Sequence, residues 1–157
     1  MASRRKSREL ALQMLFQWEV GAHSPGQVLA GFLSSQKADA EVKEFARRLF
    51  EGTVANVNSI DPLLRRHAEH WKLERMAAVD RNVLRLALYE LIHEPDVPPA
   101  VVINEALELA RRFSAADSVE FVNGVLDAVR KVVATTDAEP TSKEKSEAGG
   151  KKASSIS

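Results

Sequence analysis

The stretch Val119–Val129, VEFVNGVLDAV, decides the fold class. Its Asn123-Gly124 pair, set between hydrophobic residues, is the strongest short cue for a β-hairpin. The apolar residues around it argue against that cue. They fall at positions 119, 121, 122, 125, 126 and 129, which marks one face of a helix with a period of about 3.6 residues, not alternate positions of a strand. A helix therefore runs through Asn123-Gly124. In that setting Gly124 costs about 1 kcal/mol relative to alanine, which predicts that it admits close approach of another helix.

The same period extends in both directions from this stretch. Upstream, VLRLALYELI (83–92) is apolar enough to be buried on most sides, and Asp80 is placed to cap it. Asp96 to Pro99 break the chain, and Pro99 can occupy the first position of the helix carrying VVINEALELARRF. Asp117-Ser118-Val119-Glu120 has the spacing of a capping box and predicts the start of the last helix, continued by Phe121, Val125, Val129 and Val132. In the N-terminal half, Leu10, Ala11, Met14, Leu15 and Trp18 form one stripe of a helix from Ser7 to about Val20. Ser24-Pro25 and Asp61-Pro62 each read as a cap followed by proline, opening the second and fourth helices. The third starts near Ala40, with Val42, Phe45, Leu49, Thr53 and Val57 on its stripe, and Trp71 and Leu73 fall in a short connector. The sum is an all-α domain of about seven helices.

Composition narrows the function. At 157 residues and 45% hydrophobic the chain suits one globular domain. Cysteine is absent, which excludes disulfides and thiolate chemistry. No apolar run approaches membrane-spanning length, and the basic head lacks the apolar core of a signal peptide, so a soluble, cytoplasmic protein is expected. Beyond Val133 large apolar residues nearly vanish, predicting a disordered polar tail over 134–157.

Lysine plus arginine and aspartate plus glutamate both number 22. Yet four positive charges and no acid lie in MASRRKSR, while the tail balances itself and the body between carries a net charge of −4. A basic arm over 1–8, projecting past the bundle, would suit phosphates: Arg4, Arg5, Lys6 and Arg8 are its cations. Phe16, Phe113 and Phe121 lie at the margins of apolar stripes or at a helix end. Phenylalanine is usually core, but a half-exposed ring beside positive charge is what stacks an unpaired base. Asp117 reads first as a helix cap. His67 and His70 share a face without a third ligand, so no metal site is expected. Glycine-rich phosphate loops and nucleophile motifs are missing. The expectation is a non-enzyme with no cofactor.

The strings SRRKSRELALQMLFQW, AVDRNVLRLALYELI, VVINEALELARRF and ADSVEFVNGVLD, in this order, closely resemble the NusB family of bacterial transcription antitermination factors. The resemblance covers residues 4–133 and implies two packed helical subdomains, here a NusB-like domain over 7–133. It implies binding of the boxA element of nascent ribosomal RNA transcripts, jointly with the small-subunit ribosomal protein NusE, within an antitermination complex on RNA polymerase. A homodimer is a further possible assembly. Carried onto matching positions, the implied RNA surface is Arg4, Arg5, Lys6, Arg8, Gln13, Phe16, Phe113, Asp117 and Phe121. The family often has tyrosine where Phe16 stands, so Phe16 could stack on a base but not donate a hydrogen bond. A bundle that packs the first helix beside the last would unite the arm with the aromatics. The NusE surface is expected on the fourth to sixth helices.

Overall fold

Helical periodicity is realised throughout the residues described by the computed structural model, 4–68 and 73–138. They form seven α-helices and no strand: α1 (Arg4–Gly21), α2 (Pro25–Ser35), α3 (Ala40–Ala55), α4 (Val57–His67), α5 (Ala78–His93), α6 (Pro99–Phe113) and α7 (Ala116–Ala138). A 3₁₀ turn, Leu73–Arg75, precedes α5. Trp71 and His70 lie outside the described residues.

Local chemistry explains the boundaries. The Ser24 side chain accepts from the Gln27 amide, and the Gln27 side chain accepts from the Ser24 amide, which closes a capping box ahead of Pro25. Three other expected starts are corrected. Helix α4 begins at Val57, and Pro62 sits inside it on an exposed position. Asp61 does not cap; its carboxylate accepts from Arg85 Nε and Nη2 at 2.9 and 2.8 Å. Helix α5 begins at Ala78 with Asp80 in its first turn, and α7 begins at Ala116 with Asp117 likewise inside. An acid stabilises the positive end of a helix from the cap or from the first turn, so acidic residues mark the region and not the boundary. At its far end α7 runs on to Ala138, past the tail boundary expected at Val133. The rest of the tail, 139–157, lies outside the described residues.

The helices form two groups, α1–α3 and α4–α7, joined by α5. Helix α1 packs on α2, α3 and α5, whereas α7 packs on α4, α5 and α6. One continuous core runs through both groups, with Leu10, Met14, Phe50, Leu64, Leu84, Leu88 and Leu126 among its buried members. On α5 Asp80 and every residue from Asn82 to Glu90 are buried. The polar groups this helix brings inside are satisfied, as burial requires: Glu90 by Arg8, Arg85 by Asp61 and Glu19, and Asn82 by Glu19 and the Ala78 carbonyl.

The close approach expected at Gly124 occurs at another glycine. Gly124 faces open space, with nothing within 4 Å of where a Cβ would stand. At Gly52 of α3, a Cβ would lie 2.3 Å from the ring of Tyr89 on α5. The absent side chain on Gly52 is what lets Tyr89 come up against α3.

Candidate nucleic-acid interface

The basic head is helical from Arg4, not a projecting arm, and the turns of α1 send its cations to different neighbours. Arg8 points inward. It is 4% exposed and forms a two-pronged pair with Glu90, itself 2% exposed, through Nε and Nη2 at 2.8 Å each. Neighbouring Ser7 donates to the Val42 carbonyl at 2.8 Å, pinning this turn against α3. Arg8 cannot serve a phosphate without stranding a buried carboxylate, so it is removed from the expected set. Arg4 lies over the Phe45 ring, 4.1 Å from its centroid. Arg5 donates to both oxygens of Glu105 on α6 at 3.1 and 2.9 Å. That hydrogen bond and the Arg5 charge hold the Glu105 carboxyl below its usual range, against the opposing effect of partial burial. Lys6 is exposed.

The other expected residues lie nearer the surface. Gln13 is exposed and Phe16 is 42% exposed, three residues on along α1. Phe113, 36% exposed, ends α6, and the Arg112 guanidinium sits 5.5 Å from its ring centroid. Asp117 is exposed, whereas Phe121 is partly buried against the core. Both line a cavity of about 130 Å³, together with Arg75, Met76, Ala77, Asp80 and Ser118.

These groups are not united by α1 packing beside α7, as the sequence suggested. Helices α5 and α6 mediate instead. Glu9 of α1 binds Arg112 of α6. Ten residues on, Glu19 accepts from Arg81 at 2.8 and 3.0 Å and from Asn82 at 3.0 Å, both in the first turns of α5. Gln13 and Phe16 lie on α1 between those two ties. From the same first turn of α5, Asp80 accepts from Ser114, just past α6, and from Ser118 in α7. The start of α5 is thus a hub joining the last turn of α1 to the turn that carries Phe113, Asp117 and Phe121.

Sequence reasoning missed Asp80 as a junction, and missed Ser114, Ser118, Glu105 and Arg75. Glu105 and Asp80 looked like ordinary helix-surface and helix-start acids, because their partners come from elsewhere in the chain. Near the histidines, the Nδ1 atom of His67 lies 3.0 Å from the Leu63 carbonyl oxygen. Among the described residues no three His, Cys, Asp or Glu side chains are grouped to hold a metal, and no helix is long and apolar enough to cross a membrane.

Fold and site together define an all-α protein that offers a surface of cations, half-exposed rings and one small cavity around the junction of α5, α6 and α7. The NusB family model matches residues 5–131, and the chain belongs to the NusB family. The transcription antitermination protein NusB of Koribacter versatilis is 53% identical over 130 residues, covering 82% of this chain and 89% of that protein. That of Symbiobacterium thermophilum is 46% identical over 135 residues, covering 81% and 88%. A structure of T. maritima NusB aligns with a TM-score of 0.77 at 43% identity, covering 83% of this chain and 93% of that one. A chain in the crystal structure of antitermination factors NusB and NusE in complex with dsRNA aligns with a TM-score of 0.76 at 27% identity, covering 82% and 96%.

Proposed function

We propose that this chain is a non-catalytic, cytoplasmic RNA-binding factor. It recognises a boxA-type element of nascent ribosomal RNA transcripts together with NusE and supports antitermination by RNA polymerase. One observation carries the reading: exposed Phe16 and Phe113, and the cavity of Asp117 and Phe121, are tied around the start of α5. Cations for phosphates stand at the start of α1. Half-exposed rings stack unpaired bases while neighbouring cations neutralise the backbone, the combination single-stranded RNA recognition needs. The similar NusB chain that was crystallised with NusE and RNA supports both partners.

The RNA surface is then Arg4, Arg5, Lys6, Gln13, Phe16, Phe113, Asp117 and Phe121, without Arg8. The cations supply affinity with little sequence information, and the aromatic and acidic groups supply preference. Arg5 must share its guanidinium between Glu105 and a phosphate. The triple replacement of Arg4, Arg5 and Lys6 by alanine should weaken boxA RNA binding and flatten the dependence of log affinity on log salt by about 2 units, since each lost phosphate contact removes about 0.7 on single strands. Fluorescence anisotropy at several salt concentrations, with boxA and scrambled RNA and with and without NusE, measures this. An unaltered salt slope would rule out the start of α1 as the phosphate-binding element.

A further inference from the structure

Three elements meet at one carboxylate. Asp80, buried in the first turn of α5, receives a hydrogen bond on Oδ1 from Ser114 and on Oδ2 from Ser118 at 2.8 Å. The two serine oxygens lie 3.0 Å apart. Each hydroxyl has a single proton, and both protons go to the carboxylate, which closes a three-membered ring of contacts. Ser114 is the residue after α6, and its amide donates back to the Ala110 carbonyl. Ser118 lies in the first turn of α7. The ring therefore spans the turn that joins α6 to α7.

We propose that Asp80 is a positioning residue of the RNA surface, latching this turn so that Phe113, Asp117 and Phe121 are presented in one fixed arrangement. The proposal rests on the RNA-binding reading above. Phe113 immediately precedes Ser114, Asp117 immediately precedes Ser118, and Phe121 follows one helical turn later. Asp80 is buried and each of its oxygens accepts from a serine of the turn, so its role runs through the placement of that turn. Charged acceptors make the stronger hydrogen bonds, and a buried carboxylate that loses its donors is costly, so the latch has one favoured state. Without it the turn samples several arrangements. Recognition of sequence, which depends on placed rings and acceptors, then suffers. Phosphate contacts by Arg4, Arg5 and Lys6 are unaffected, because those residues stand on α1.

The test uses the full chain with Ser114 and Ser118 both replaced by alanine, and separately both replaced by threonine, which restores the hydroxyls. Asp80→Asn is a third variant. With NusE present throughout, affinity for boxA and scrambled RNA is measured by anisotropy across a salt series. Hydrogen exchange of the turn amides is followed without RNA, and circular dichroism reports the fold. The double-alanine variant should lose about tenfold in preference for boxA over scrambled RNA, the scale of one lost contact to a base edge. Its salt slope should not change, its turn amides should exchange faster, and the threonine pair should recover both properties. Should Asp80→Asn fail to fold, the serine variants still decide. Wild-type chain that prefers boxA, with a folded double-alanine variant that prefers it equally, overturns the latch alone. Wild-type chain with no preference overturns the RNA reading and the latch with it.

Discussion

At the scale of single residues, two glycines in helices make opposite predictions. Gly52 gives its space to the Tyr89 ring, and a Cβ there would intrude to 2.3 Å. Gly52→Ala should destabilise the protein by roughly 1–3 kcal/mol through overpacking. Gly124 faces open space within α7, so Gly124→Ala should stabilise by about 1 kcal/mol through helix propensity alone. Urea denaturation of the two variants beside the wild type reads both signs. Periodicity revealed that Gly124 was helical, but not which glycine was crowded. Crowding depends on a ring that arrives from α5. Exposed Phe16 and Phe113 were legible from the edge of a stripe and the end of a helix, but Phe121, read the same way, packs partly buried against the core. Arg8 was not legible, since only the placement of Glu90 shows that it is buried and not presented.

At the scale of elements, all seven helices could be read from spacing, while several starts could not. Proline and an acid together announce a helix beginning, yet Pro62 is accommodated inside α4 and Asp61 is spent on Arg85. Around the common apolar core, ion pairs add ties between the elements. Glu19 of α1 is shared by Arg81 and Arg85 of α5, and Arg85 reaches Asp61 of α4. Burial pushes the Glu19 carboxyl upward, but Arg81 and Arg85 outweigh it and leave it below its ordinary range. Unfolded Glu19 therefore holds its proton at pH values where the folded form has lost it. Its contribution to stability is complete above its unfolded pKa, near 4.3, and disappears as pH falls through the depressed folded value. Urea midpoints should accordingly drop between pH 6 and pH 3. Glu19→Gln should lower the midpoint at pH 6 and make this drop shallower, and an equal drop in wild type and variant would remove Glu19 from the acid response.

At the scale of the whole molecule, α5 belongs to both halves, and the Arg8–Glu90 pair fastens α1 to it out of reach of water. Arg8→Ala leaves Glu90 as a lone buried charge and should cost about 3–5 kcal/mol, whereas replacing Arg8 by methionine and Glu90 by leucine together should cost far less. A thermodynamic double-mutant cycle on these two positions measures the difference, and additive losses would contradict the pairing. The composite nature of the proposed RNA surface belongs to this scale as well. Its residues come from both ends of the chain, and what unites them is the junction at the start of α5, which no stretch of sequence displays.

The same pair constrains how this protein can change over generations. Arg8 and Glu90 lie 82 residues apart, yet drift at one position while the other stays strands a buried charge. An exchange must arrive nearly together at both, or pass through an ancestor crippled by a stranded charge. The basic cluster at the start of α1 thus has two tempos. Arg4, Arg5 and Lys6 are exposed and proposed to meet an outside partner, while Arg8 is held in step with a codon far downstream.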